Sequence, residues 1–219
     1  MNETLLVRGE APQNYLLVEG DDDAQVLYHL LMRHKIHEQV TIKKKGGVQE
    51  LLVTLRTELK GSGERRLGIV IDADADIVVR WQSLRDRLVA FGFNTVPETP
   101  YSDGTIIEED GQPVVGVWLM PDNKVPGMLE DFVSLLVPQD DILWPMAEDF
   151  LQRVIAKDRR FPPTQAIKAH LHTWLAWQEE PGKPMGQAIT KRYLKAEALH
   201  AQQLMAWIHQ LFNLEPMIT

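Results

Sequence analysis

Residues 67–76, LGIVIDADAD, constrain the fold most, because a short apolar run stops abruptly at alternating aspartates. A continuous run such as LGIVI is typical of a strand covered on both faces, as in a parallel sheet flanked by helices. Ligands of such sheets bind beyond the carboxyl ends of the strands. Asp72, Asp74 and Asp76 therefore stand where a functional site is expected. The alternative is that Asp72 caps the next helix and the other two are solvated loop charges.

Strands and helices alternate before this stretch. Residues 15–18 predict a strand that Glu19 and Gly20 close, and an amphipathic helix follows, with Asp22 as its predicted N-cap. Residues 40–42 predict a second strand, again followed by a helical pattern. This alternation is typical of βαβ units and a parallel sheet.

Two further features stand at the ends of these strands. Glu19 ends the first strand, where a helix cap needs no carboxylate, which favours a functional role. Lys43, Lys44 and Lys45 end the second strand, directly before two glycines. Beside an acidic site the lysines would bind phosphate, and the alternative is a solvated sheet edge.

The alternation changes after residue 104. Residues 105–109 and 114–120 predict strands joined only by DGQP, which is short enough for antiparallel neighbours alone. The sheet should therefore be mixed, with one antiparallel strand. Asp122 follows the second of these strands, and Glu130 and Asp131 fall in the first turn of a short predicted helix. The alternative for those two residues is compensation of the helix dipole.

The C-terminal part is helical in pattern. Apolar spacing predicts helices over residues 141–155, 167–175 and 194–211. We therefore divide the chain into an α/β domain, residues 1–137, and a helical extension packed on the sheet, residues 138–219.

Charge and composition limit the function. The net charge is −8 and the pI is near 5.4, which argues against binding nucleic acid through the overall field. The chain has no cysteine, so thiolate nucleophiles and thiolate metal sites are excluded. The start lacks a signal-peptide pattern, and no apolar run reaches membrane-spanning length. We expect a cytoplasmic protein with no membrane partner.

The acidic strand ends should meet. In a parallel sheet all carboxyl ends share one edge, so we expect Glu19, Asp72 and Asp74 to converge, joined by Asp122 if its strand is parallel to the first. Clustered carboxylates share protons or hold a cation. Oxygen ligands favour Mg²⁺, or Mn²⁺ in its place. A metal held in this way can clamp phosphate oxygens and activate water, which predicts metal-dependent phosphoryl transfer.

The strand endings YLLVEG, IKKKGG and GIVIDAD, in that order, resemble the Toprim domain over residues 12–135. The segments GIVIDADAD, RWQSLRDRL, GVWLMPDN and GMLEDF look most similar to a bacterial branch related to the overcoming-lysogenization-defect (OLD) family nucleases. The resemblance implies a Toprim-like, mostly parallel sheet with flanking helices. It also implies that Glu19 is a general acid or base. The acidic positions that the resemblance implies as metal ligands are Asp72, Asp74, Asp76, Glu130 and, next in order, Asp131.

The sequence leaves several functions open. The first is a Mg²⁺-dependent nuclease or phosphodiesterase acting on nucleic acid. The second is a non-catalytic Toprim-like module that binds a metal or a partner. No ATPase, winged-helix or zinc segment is recognisable, so the partner domain that usually supplies substrate binding in the resembled family is either absent or lies on another chain, such as an ATPase. A third is a haloacid-dehalogenase-like phosphatase with Asp72 as nucleophile, although Asp76 replaces the usual Thr or Val and Glu19 would have no role. A receiver-like phosphoacceptor lacks the Ser or Thr that would close the preceding strand.

Overall fold

The computed structural model describes residues 14–60, 65–154 and 157–214. Its centre is a mixed, mostly parallel sheet of five strands in the order β2-β1-β3-β5-β4, in which β4 is antiparallel to β5. The strands are β1 (Asn14–Val18), β2 (Thr41–Lys44), β3 (Arg66–Asp72), β4 (Thr105–Ile107) and β5 (Val114–Met120). The predicted mostly parallel sheet with one antiparallel strand is therefore confirmed.

Eight α-helices flank the sheet in the described part of the chain. They are α1 (Asp21–Arg33), α2 (Val48–Leu59), α3 (Ile77–Ala90), α4 (Leu129–Ser134), α5 (Leu143–Gln152), α6 (Ala166–Ala176), α7 (Met185–Thr190) and α8 (Leu199–Phe212). None of the helices among these residues is both long and apolar enough to cross a membrane.

The N-cap predicted for α1 is wrong. The helix begins at Asp21, and Gly20, not Asp22, is its N-cap. The Gly20 N–H donates to Oδ2 of Asp23 at 3.1 Å, so the third aspartate binds the start of the helix. The strand and the helix are thus separated by only Glu19 and Gly20.

The C-terminal helices differ from the prediction in extent. The last helix begins at Leu199 rather than at residue 194, and α7, which the sequence analysis did not predict, precedes it. Arg192, with φ of 64°, follows the end of α7. A residue in the left-handed conformation ends a helix, so α7 and α8 are separate helices. The predicted helix over residues 141–155 is α5, which ends at Gln152, and residue 155 lies outside the described residues.

The sheet separates two apolar cores. Helices α2 and α3 cover one face with residues such as Leu55 and Trp81. Helices α1, α4, α6, α7 and α8 contribute to the core on the other face, where Trp118 of β5 packs against Trp207 of α8. The C-terminal helices therefore form part of the layer that covers the sheet.

Helix α8 approaches the sheet closely because β3 and β5 have glycines in register, Gly68 opposite Gly116. A Cβ atom at Gly116 would lie 2.5 Å from Cδ2 of Leu211, and one at Gly68 would lie 3.0 Å from the same atom. The absence of side chains at this pair makes room for the helix.

Candidate functional site

The ends of β1 and β3 bring Glu19 and Asp72 together, since these strands are parallel neighbours. The Asp72 N–H donates to Oε1 of Glu19 at 3.0 Å. The carbonyl of Glu19 accepts hydrogen bonds from the N–H groups of Gly46 and Gly47, at 2.8 and 2.9 Å. The first and third strands therefore end in one acidic site, and the turn before α2 fixes the backbone of Glu19.

Asp23 joins this site, although the sequence analysis did not select it. Its side chain is 8% exposed, and its Oδ1 is buried without a hydrogen-bond partner in the structure. Burial, with the neighbouring charge of Glu19, raises the pKa of Asp23 to about 6. The helix start accounts for Oδ2, which accepts the hydrogen bond from the Gly20 N–H, but not for the unpartnered Oδ1. The sequence signal that could have identified Asp23 is its position four residues after Glu19, which places it in the first turn of the following helix.

Asp72 is the most perturbed acid of the site. Its Oδ1 is also buried without a hydrogen-bond partner. Burial raises the pKa of Asp72 to about 8, and the charges of Glu19, Asp23 and Glu130 add to the shift. Ionising Asp72 in this site is therefore costly unless a cation is close by.

The pKa of Glu19 is raised as well, mainly by burial. The hydrogen bond from the Asp72 N–H and the charge of Arg80 oppose this shift, while the charge of Asp74 adds to it. Glu19 is thus a partly buried acid between strand ends, with its pKa displaced towards neutrality.

Glu130 lies at the start of α4 and is 4% exposed. Its Oε1 forms an ion pair with Nζ of Lys168, a residue of α6, at 2.8 Å. The hydrogen bond to Glu130 raises the pKa of Lys168. Sequence analysis missed Lys168 because a single lysine on a helix carries no pattern, and only the packing of α4 on α6 brings it here.

Asp131, the neighbouring predicted ligand, supports the helix start instead. Its Oδ2 accepts a hydrogen bond from the Met128 N–H at 2.8 Å. Burial raises the pKa of Asp131. The side chain thus contacts its own helix terminus.

The two aspartates that follow β3 have other partners. Asp74, with φ of 54°, forms an ion pair with Arg80 of α3. Asp76 is the N-cap of α3, and its Oδ1 accepts hydrogen bonds from the N–H groups of Val78 and Val79 at 2.9 and 3.2 Å. The cap that the sequence analysis considered for Asp72 is therefore made by Asp76.

Asp122 follows β5, which runs parallel to β3 and so ends at the same edge. Its Oδ1 accepts hydrogen bonds from the N–H groups of Lys124 and Val125, at 3.0 and 3.1 Å. The carboxylate closes a local turn.

The three lysines at the end of β2 are paired with acids. Lys43 and Lys45 contact the carboxylate of Glu58 at 3.0 and 2.6 Å. Lys44 forms an ion pair with Asp21. Although burial opposes its ionisation, the hydrogen bonds from Lys45 and Lys43 lower the pKa of Glu58. A phosphate bound here would compete with these carboxylates.

The acidic site offers carboxylate oxygens, but these are not arranged around a common point as metal ligands would be. Among the described residues, no group of three or more His, Cys, Asp or Glu side chains is arranged to hold a metal ion. Lys168 and Arg80 each hold one carboxylate of the region. The unpartnered oxygens of Asp23 and Asp72 remain, and carboxylate oxygens are the donors that Mg²⁺ prefers. Two carboxylate oxygens of the site are therefore without a hydrogen-bond partner, and Lys168 and Arg80 would compete with a cation bound there.

The sequence profile of one protein family, described as a protein of unknown function (DUF3226), matches residues 13–213. The chain belongs to this family. The DUF3226 match includes the sheet, the acidic site and the C-terminal helices that carry Lys168. No curated protein and no solved structure matches the chain.

Proposed function

We propose that this chain is a Toprim-like, Mg²⁺-dependent phosphoryl-transfer protein, a nuclease or phosphodiesterase acting on nucleic acid. The main support is that Oδ1 of Asp23 and Oδ1 of Asp72 are buried without partners beside two more acids, Glu19 and Glu130. Buried carboxylates require a counter-charge to ionise. A divalent cation, Mg²⁺ or Mn²⁺, would supply that charge.

Each acid has a role in this proposal. Asp72 and Asp23 would hold the cation, with Asp74 or Glu130 completing the set after release from Arg80 or Lys168. Mg²⁺, when bound, polarises phosphate oxygens and lowers the pKa of water. Glu19, whose pKa is raised by burial, would transfer a proton as general acid or base.

Replacing Glu19 tests this function. We expect Glu19→Gln to lower Mg²⁺-dependent cleavage of labelled single-stranded DNA or RNA by about 100-fold or more, since the amide cannot exchange the proton. The measurement is the initial cleavage rate on denaturing gels. Glu38→Gln, at an exposed loop position before β2, is the matched control and should cleave like the wild type. Cleavage by Glu19→Gln at the control rate would contradict the proposal.

A second function, a non-catalytic module that binds a metal or a partner, is favoured by the ion pairs of Lys168 with Glu130 and Arg80 with Asp74. These cations already neutralise two of the acids. Calorimetry distinguishes the two functions. Mg²⁺ or Mn²⁺ binding that Asp72→Asn abolishes, together with no hydrolysis of any polynucleotide by the wild type, would select the module.

A further inference from the structure

Positive charge is concentrated in a short segment of this acidic chain. Lys157, Arg159, Arg160 and Lys168 lie within residues 157–168, which hold a single acid, Asp158, although the whole chain has a net charge of −8. Lys157 and Arg160 are exposed and Arg159 is half-buried. In the part of the chain that the structure describes, these three cations form no ion pair with an acidic side chain. The segment is therefore open to an anionic ligand.

A groove of about 310 Å³ lies beside Arg159, between α5 and α6. Leu151, Phe161 and Ile167 give it an apolar lining, and Arg159 lines it with a charge. The Cζ atom of Arg159 lies 5.8 Å from the ring centroid of Phe161. Glu148 is the one acid among the lining residues. An aromatic ring next to a guanidinium is suited to a base and its phosphate.

Helix α6 contributes to both the groove and the acidic site. Ile167 lines the groove, and the next residue, Lys168, contacts Glu130 of the site at 2.8 Å. Because successive residues of a helix point about 100° apart, the groove and the acidic site lie on different sides of α6.

We propose that this groove, formed by α5, α6 and residues 157–165, binds single-stranded nucleic acid. The proposal rests on the function proposed above and names the form of its substrate. Lys157, Arg159 and Arg160 bind phosphates, and Phe161 stacks on one base. A duplex keeps its bases stacked on each other, so it cannot offer a free base to Phe161. The segment thus provides a local basic surface on a chain whose net charge is negative.

Anisotropy of a fluorescein-labelled oligothymidylate, titrated with protein in EDTA, tests the proposal without turnover. We expect Arg159→Gln/Arg160→Gln to weaken binding about tenfold and to reduce the slope of log K against log salt by about 1.4, for two lost phosphate contacts. Phe161→Leu should weaken binding about tenfold without changing the slope, because stacking releases no counterions.

Arg56→Gln/Lys60→Gln removes the same charge at the C-terminal end of α2, which lies on the other face of the sheet, and should bind like the wild type. Equal loss in this control, absence of binding at low salt, or tighter binding of a duplex than of the single strand would overturn the proposal. Binding of anionic lipid vesicles without binding of the oligonucleotide would also overturn it. Strand binding by a wild type that cleaves nothing in Mg²⁺ would contradict the proposed function and leave the groove assignment standing.

Discussion

The carboxylate of Asp72 is largely buried and lies close to several other acidic side chains. Its Oδ1 has no hydrogen-bond partner, and burial together with Glu19, Asp23 and Glu130 raises its pKa to about 8. A protein that only needed to fold would be more stable with a neutral side chain there. A buried acid with a strongly raised pKa is a candidate functional residue.

The pH dependence of stability follows from this shift. An unfolded Asp ionises near pH 4, whereas folded Asp72 keeps its proton up to about pH 8. The folded state therefore binds more protons between these values, and its free energy of unfolding falls as pH rises. We expect denaturant unfolding in EDTA to show this decline between pH 4 and 8, and saturating Mg²⁺ to reduce it. A flat profile in EDTA would contradict the assignment.

Asp72→Asn removes the ionisable group and keeps the shape. We expect the variant to be more stable than the wild type at pH 8 in EDTA, by on the order of 2 kcal/mol, because each pKa unit corresponds to about 1.4 kcal/mol before relaxation. Mg²⁺ should raise the melting temperature of the wild type but not of the variant. Differential scanning calorimetry measures both effects, and an equal Mg²⁺ response in the two proteins would contradict the metal role.

Substitutions of Asp76 test whether this residue acts as a helix cap or as a metal ligand. Because Asp76 accepts hydrogen bonds from the first N–H groups of α3, we expect Asp76→Ala to lower the free energy of unfolding by about 1 kcal/mol. Asp76→Asn keeps an oxygen acceptor and should cost less. Urea denaturation measures the stabilities, and calorimetry should show unchanged Mg²⁺ affinity in both variants. A large loss of affinity would make Asp76 a ligand after all.

The contact of α8 with the sheet depends on two glycines in register. Gly68 and Gly116 lie on neighbouring strands beneath Leu211, and Trp207 packs next to it on Trp118. The helix can thus lie close to the sheet and exclude water from the face that carries β3 and β5. A larger residue at either glycine would push the helix outward.

Gly116→Ala tests this packing. A Cβ would lie 2.5 Å from Leu211, so we expect the free energy of unfolding to fall by about 1–3 kcal/mol. In a double-mutant cycle, the cost of Gly116→Ala should shrink in the background of Leu211→Ala, which removes the clashing atoms. Urea denaturation gives the four stabilities. Additive costs would show that Leu211 is not the cause.

The C-terminal helices act on both the fold and the site. They cover one face of the sheet, and α6 provides Lys168 to the acidic edge. The core and the ion pair of Lys168 with Glu130 therefore include residues on both sides of the predicted boundary at residue 137.

A chain of residues 1–137 should not fold by itself. Without α8, side chains such as Leu16 and Trp118, which are 0% and 1% exposed, would face water. Burial of one such side chain contributes about 1.5–3 kcal/mol, and total stabilities are only about 5–15 kcal/mol. We expect poor dispersion in the amide NMR spectrum and strong binding of a hydrophobic dye. A well-dispersed spectrum would show instead that the α/β part is an independent domain.

Local patterns were sufficient for the strands, most helices and the meeting of Glu19 with Asp72. A buried strand that ends at a charged residue can be predicted from a single segment, because the apolar run and the charge are local features of the sequence. The carboxyl ends of parallel strands then lie at the same edge of the sheet. The hairpin was also predictable, because a link this short permits only antiparallel pairing, although β4 ends at Ile107 rather than at residue 109.

Long-range packing supplied the rest. Which acid of α1 is buried and which lysine contacts Glu130 depend on elements that are far apart along the chain and pack together on one face of the sheet. Asp21, Asp22 and Asp23 are identical as letters, yet only Asp23 is buried. The pKa of a side chain depends on its burial and on its distance from other charges, and both are set only by the folded structure.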